Sequence, residues 1–282
     1  MKHIYVNFKR FDVPVEYGGV NRLAEVDSWA RSVVDGVQEE LEKYALREVE
    51  FAIYFPEMHI LPAIAAKKGN VLKIGCQGVY RADTSVGGNF GAFTTNRPAS
   101  VMASAGCETV IIGHCEERND KEGILAEAGV ADADAVGRIL NQEIKCAVGR
   151  GMSVLYCIGE KSEEQEAWQE VLGRQLEIGL DGVDTSKVVI AYEPVWSIGP
   201  GKTPADKAYI TKVARFVKER THGMDVVYGG GLKQDNAAML ASIEEIDGGL
   251  IALTRFQGEI GFYPQEYLEI VRIYMEASQN KK

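Results

Sequence analysis

Lys187-Val-Val-Ile-Ala-Tyr-Glu-Pro-Val-Trp-Ser-Ile-Gly-Pro-Gly-Lys-Thr203 opens as a strand and closes as a loop. The run Lys187–Tyr192 is apolar and rich in β-branched residues, which reads as a buried strand. It ends on a carboxylate, Glu193, and Pro194 fixes the backbone just past it. Gly199 and Gly201 then permit positive φ or close backbone approach to a ligand. One acid at a strand tip, followed by a Gly/Pro flap, suits a general base beneath a lid spanning Pro194–Thr203. The ending Gly201-Lys202-Thr203 imitates a phosphate-binding P-loop, but the position six before the lysine is Trp196 instead of glycine. Trp196 reads better as the anchor of the flap.

Working outward, seven more apolar runs share this character: His3–Phe8, Val49–Phe55, Val71–Gln77, Thr109–Gly113, Met152–Ile158, Met224–Tyr228 and Gly249–Leu253. Helical spacing fills the gaps, for example over 131–150, 162–180, 204–220 and 234–242. Such alternation predicts a parallel sheet with crossover helices. Eight repeats favour an α/β fold of the closed (β/α)8 barrel type over a doubly wound sheet. No linker or composition shift divides the chain, so residues 1–282 read as one domain, with a polar tail at Ala277–Lys282 expected to fray. Barrel strands deliver their C-terminal ends to one mouth. That would gather Asn7, Lys9, Gln77, His114, Glu116, Glu193 and the glycines 229–231.

Bulk properties narrow the classes. Of 282 residues, 46% are hydrophobic and 26% charged, ordinary for a protein with a large core. A net charge of −10 argues against a nucleic-acid partner. No apolar stretch approaches the eighteen residues of a membrane span, and the N-terminus runs straight into a strand without a signal-peptide pattern. Five scattered cysteines without a CxxC pair read as reduced thiols, consistent with a cytoplasmic location. The four histidines, His3, His59, His114 and His222, show no metal-ligand spacing, so neither a metal nor an organic cofactor is expected.

Each candidate has a plainer reading beside the chemical one. Glu193 by itself could be a solvated loop acid, and a histidine after a strand is most often structural. His114 follows Gly113, which permits a tight turn, and the residues beyond it could start a helix facing the site. The helix dipole there disfavours imidazolium, so His114 would stay neutral and donate a hydrogen bond. Lys9 alone could be a surface lysine, yet at the mouth it would attract an anion and stabilise charge on its oxygens. Glu116 would hold the Lys9 ammonium or be merely solvated. Asn7 would donate to a substrate oxygen or simply turn the chain.

The Glu193 segment resembles the sixth strand and lid of the triose-phosphate isomerase family. Val110–Arg118 resembles that family's Gly-His-Ser-Glu-Arg-Arg motif, with Cys115 and Glu117 as departures. Val6–Arg10 is similar to its Asn-Trp-Lys, and Tyr228-Gly-Gly-Gly-Leu232 to its strand-seven turn more loosely. With the strand rhythm, the resemblance covers nearly the whole chain. It implies a TIM barrel, and a cofactor-independent aldose–ketose isomerase of a small sugar phosphate. In that family a carboxylate base works with a neutral histidine electrophile. Carried over, Glu193 is the base, His114 the electrophile, Lys9 and Asn7 stabilise the enediolate, and Glu116 supports Lys9. The substrate-binding set becomes Asn7, Lys9, Gly199, Gly231, Ala252 and Leu253.

The departures cluster at the phosphate end. Gly231 stands where the family has serine, and Ala252 and Leu253 stand where it has two glycines. Arg255 reads equally as a compensating cation or a rim residue. Triose phosphate is the default substrate; a tetrulose phosphate such as erythrulose phosphate is the alternative. A barrel that binds without catalysing is a third reading, opposed by the retention of Asn7, Lys9, His114 and Glu193 together. Gly91-Ala-Phe-Thr94 matches the family's dimer loop and implies a homodimer. Asn96 and Glu117 replace an acid and its arginine partner there, which suggests an exchanged Arg97–Glu117 pair.

Overall fold

The computed structural model describes residues 1–199 and 202–279. Eight parallel strands close into a barrel in sequence order, β1 pairing with both β2 and β8. They are β1 (Lys2–Asn7), β2 (Val49–Phe55), β3 (Leu72–Cys76), β4 (Thr109–Ile112), β5 (Ser153–Ile158), β6 (Val188–Tyr192), β7 (Val226–Tyr228) and β8 (Gly248–Ile251). All eight expected runs are therefore strands. Among the described residues the helices are α1 (Trp29–Leu41), α2 (Glu57–Ala66), α3 (Ala99–Ala105), α4 (Cys115–Glu127), α5 (Ala135–Gly149), α6 (Trp168–Gly179), α7 (Lys207–Arg220), α8 (Ala237–Ala241) and α9 (Pro264–Gln279). The chain is a single-domain TIM barrel. Ala277–Gln279, expected to fray, continue α9, because Tyr274 and Met275 still bury the preceding turn; residues 280–282 lie outside the described part.

Two apolar clusters follow from the period-2 pleat. Residues such as Ile4 and Val6 of β1, or Val154 and Tyr156 of β5, pack outward against the helices. The opposite parity fills the barrel interior: Tyr5, Ala52, Tyr54, Ile111, Leu155, Cys157, Ala191, Val227 and Leu250. One strand step beyond this layer, the same inward parity carries Asn7 after Tyr5, Glu193 after Ala191, Gly159 after Cys157, Gly229 after Val227 and Ala252 after Leu250. The parity that builds the core thus aims these residues at the mouth. One step the other way it places His3, Glu50, Lys73 and Asp225 at the base.

Candidate active site

Glu193 follows β6 and is 1% exposed. Two glycines make room for it. A Cβ on Gly159 would lie 1.9 Å from the Glu193 carbonyl oxygen, and one on Gly229 would lie 2.6 Å from Glu193 Cγ. Glu193 Oε2 accepts the backbone N–H of Cys115 at 3.0 Å. Oε1 sits 3.0 Å from His114 Nε2, but the two are not aligned for a hydrogen bond, and Oε1 has no donor among the described residues. The base candidate is thus buried and held by one oxygen, with the other left toward the imidazole.

His114 is the N-cap of α4, and its Nδ1 accepts the N–H of Glu116 at 3.3 Å. That contact assigns the proton to Nε2, facing Glu193. Two influences then compete. Burial opposes a charge on the ring, but the Glu193 carboxylate overrides it and lifts the His114 pKa to about 10. A doubly protonated ring, however, would turn an N–H toward the N–H of Glu116. The neutral ring fits the donor that faces it, and the upward pull lasts only while Glu193 is charged and adjacent. Gly113 makes the preceding turn at φ +79°, where a Cβ would approach the Cys157 carbonyl oxygen to 2.9 Å. The buried Arg118 clamps the same turn, donating from Nε to Gly113 O at 2.8 Å and from Nη2 to Cys157 O at 2.8 Å.

Asn7 and Lys9 arrive together. Asn7 Oδ1 accepts the Lys9 N–H at 3.0 Å, which supports the left-handed Lys9 backbone at φ 42°, and also accepts Gln77 Nε2 at 3.2 Å. With its oxygen doubly engaged, the Asn7 amide presents its N–H groups. Gln77 also donates to the carbonyls of Lys9 and Tyr54, at 2.9 and 3.3 Å, so it fixes the whole turn. Lys9 Nζ donates to Glu116 Oε1 at 2.7 Å. The Glu116 carboxyl is held below its usual range: burial works against this, but the Lys9 hydrogen bond prevails.

The base of the expected lid is anchored by a residue that sequence reading passed over. Glu160, after β5, is fully buried, and its Oε1 accepts from Tyr192 OH at 2.9 Å, Trp196 Nε1 at 2.7 Å and Tyr209 OH at 3.0 Å. Trp196 also meets Tyr209 edge to face, 5.4 Å between ring centroids. The signal was partial: Gly159 takes the place after β5 that Glu193 takes after β6, and Glu160 follows one residue on. Gly199 has φ +116° with open space at its Cβ position; Pro200 and Gly201, the remainder of the glycine/proline flap, lie outside the described residues.

At the opposite rim, Gly231 takes φ +101°, and Asn236 closes the β7 turn by donating to Gly231 O at 2.9 Å and accepting Lys233 N–H at 2.8 Å. Ala252 and Leu253 follow β8 half-buried. Beyond them the chain makes a hairpin in which Arg255 bridges Gly261 antiparallel. Arg255 Nε donates to Glu266 at 2.8 Å and its guanidinium lies 3.9 Å from the Tyr263 ring. Of its two readings, the rim residue fits.

The exchanged Arg97–Glu117 pair is not formed within the chain. Arg97 lies 3.7 Å from Glu57, whereas Glu117 turns inward, accepts Gly113 N–H at 2.6 Å and pairs with Lys121 at 2.8 Å. A backbone amide and a lysine one helical turn away are simply nearer. Among the described residues, His114, Cys115 and Glu193 offer ligand atoms within 4.8 Å of one another, a group compact enough for a metal ion.

The molecule is thus a closed α/β barrel whose mouth holds a buried carboxylate against an imidazole, with an asparagine and a lysine at the end of β1. The sequence model of triosephosphate isomerase matches residues 23–272. A triosephosphate isomerase of Nitratidesulfovibrio vulgaris is 36% identical over 242 residues, covering 81% of this chain and 88% of that protein. One of Geobacter metallireducens is 40% identical over 174 residues, 57% of this chain and 64% of its own length. The crystal structure of triosephosphate isomerase from Bartonella henselae superposes with a TM-score of 0.70 at 24% identity, over 97% of this chain and 99% of that one, a likeness of fold. The chain belongs to the triosephosphate isomerase family.

Proposed function

We propose that this protein interconverts the aldose and ketose forms of a small sugar phosphate, with triose phosphate as the first substrate to consider. The observation that carries the reading is the Glu193–His114 contact at the mouth, 3.0 Å from Oε1 to Nε2. Glu193 removes the proton from the carbon beside the carbonyl. His114, donating from Nε2, polarises the carbonyl and moves protons between the two oxygens. A substrate lying between them separates the pair, removes the pull that raises the His114 pKa, and leaves the neutral ring that the Glu116 N–H favours. Asn7 and Lys9 donate to the oxygens of the enediolate, where charge develops. The lid anchored by Trp196 excludes water, which protects a phosphate that an exposed enediolate would eliminate. Proton transfer among these groups needs neither metal nor organic cofactor.

A second reading, a tetrulose phosphate, is favoured by one region only. Gly231, Ala252, Leu253 and the hairpin beyond them rebuild the far wall of the mouth, leaving the reacting groups as they are. A homodimer is part of the proposal, supported by the loop before Thr94, where Val86 is fully exposed and Phe90 is 89% exposed. Five free cysteines suit a reducing compartment such as the cytoplasm. The test is incubation in deuterated water with dihydroxyacetone phosphate and, separately, with erythrulose phosphates. Isomerisation with deuterium on the transferred carbon is expected, and the faster substrate decides between the readings. Absence of exchange from every sugar phosphate would leave a binding barrel instead.

A further inference from the structure

The turn that aims His114 is held on both sides of a single Cα. Gly113 has no Cβ to restrict it, and its φ of +79° is one of many backbone states open to glycine. Rotation about its two backbone bonds would swing His114 relative to β4. The peptide plane after Gly113 is fixed by Arg118, whose Nε donates to Gly113 O at 2.8 Å. The plane before it is fixed by Glu117, whose Oε2 accepts the Gly113 N–H at 2.6 Å. Glu117 is the third residue of α4, and with His114 as N-cap it reaches back one residue further than the glutamate of a capping box. An arginine at that position, as in the family motif that Val110–Arg118 resembles, has no acceptor to offer that amide.

Glu117 is held in its turn. Its Oε1 accepts from Lys121 Nζ at 2.8 Å, and Lys121 also lies 3.2 Å from Oε1 of Glu143, a buried acid on α5. Burial, and then the Glu117 charge beside it, push the Glu143 carboxyl up to about 9, so near neutrality it carries a proton. Glu117 is lowered: burial opposes this, but the Lys121 charge and the hydrogen bond from Glu143 prevail. We infer that Glu117 is a positioning residue for His114, fixing through the Gly113 amide the direction in which the chain carries the imidazole to Glu193. The inference rests on the reading of His114 as the electrophile of a sugar-phosphate isomerase. What it requires of Glu117 is an acceptor at the right reach, whatever its charge.

Two substitutions in the full-length protein separate reach from charge. Glu117→Gln keeps an oxygen at the same distance and loses the charge; Glu117→Asp keeps the charge beside Lys121 and falls one methylene short of Gly113. With dihydroxyacetone phosphate, Glu117→Asp should lower kcat about tenfold, the effect of a misaimed reacting group. Its KM should stay within about twofold of the wild type, because no group that binds substrate is touched. Glu117→Gln should keep both constants within about twofold. The nitrogen-15 spectrum of the His114 ring, recognised by its loss in His114→Gln, should match the wild type in Glu117→Gln and shift or broaden in Glu117→Asp. A residue that served only the stability of α4 would leave kcat and the ring signals alone in both variants, and one that acted by charge would be lost in Glu117→Gln instead. Either result, or equal losses in the two variants, overturns the assignment. Should the wild type isomerise no sugar phosphate, the functional reading fails by itself and the ring signals still decide whether Glu117 positions His114.

Discussion

Besides the buried His59–Asp12 pair, a histidine meets a carboxylate at each end of the barrel, His3 with Asp225 at the base and His114 with Glu193 at the mouth, and these two are built differently. At the base, His3 Nε2 meets Asp225 Oδ2 at 2.8 Å and Nδ1 meets Tyr5 OH at 2.9 Å, while Tyr5 OH donates to Glu50 Oε1 at 2.5 Å. Because the Tyr5 proton is given to Glu50, both ring nitrogens of His3 must donate, which is the pattern of an imidazolium. Burial opposes that charge, yet the hydrogen bonds to Asp225 and Glu50 outweigh it and raise the His3 pKa. At the mouth, His114 accepts at Nδ1, and among the described residues Glu193 Oε1 has no aligned donor. A satisfied buried network stabilises the fold, and the two ends differ in that respect.

The largest effect that could break this contrast comes from making the same change at both ends. Glu193→Gln removes the carboxylate while keeping its shape; turnover should fall about 10³-fold, and stability should fall only by the pull that Glu193 exerts on His114. Asp225→Asn should do the reverse, keeping turnover within about twofold and losing about 1 kcal/mol of stability. Steady-state kinetics and urea denaturation on the two variants give the answer. A Glu193→Gln protein with near-normal turnover removes Glu193 from the role of base.

Next in size is the base network itself. His3→Phe fills the volume but leaves Asp225 and the Tyr5 hydroxyl without the donor they share. The expected loss is about 2 kcal/mol, with kcat/KM unchanged because no reacting group sits at that end. A comparable loss of activity at the permissive temperature would mean that the two ends are coupled through the barrel core.

How much of this was legible in sequence follows from the same parity. Parallel strands buried on both faces read as near-continuous apolar runs, so all eight were visible. Asn7, Lys9, His114, Glu116 and Glu193 stood out because each follows such a run. The partners did not. Gln77 reaches Asn7 across 70 positions and His3 reaches Asp225 across 222, contacts that exist only once the barrel closes. Glu160 lay partly open to the strand-end argument but gains its meaning from Trp196 and Tyr209, on other elements. The hairpin around Arg255 was hidden for another reason: Gly258, at φ +67°, marks a turn but not what the turn packs on, and Glu266 on α9 settles which way the guanidinium points.

The smallest effect is also the one that separates the two histidines most finely. Glu50 is brought down to about 2: burial opposes this, but hydrogen bonds with His3, Lys73 and Tyr5 prevail. Asp225 is lowered by its hydrogen bond from His3. Lowered carboxylates contribute stability that is present above their ordinary values, near 4.5 for Glu50, and lost as pH falls toward 2. A raised histidine contributes stability that is full below its ordinary 6.5 and lost as pH rises through its folded value. The base network is therefore complete between about pH 4.5 and 6.5 and weakens on both sides. His114, lifted to about 10 by Glu193, carries the same sign, so its contribution fades between 6.5 and about 10. Denaturation of the wild type should show stability declining above about pH 6.5. His3→Phe should remove the part of that decline belonging to the base, and Glu193→Gln the part that runs on toward pH 10. A Glu193→Gln protein that keeps the full alkaline decline would mean that the Glu116 amide already holds His114 neutral in the free protein, with Glu193 no more than a neighbour until substrate arrives.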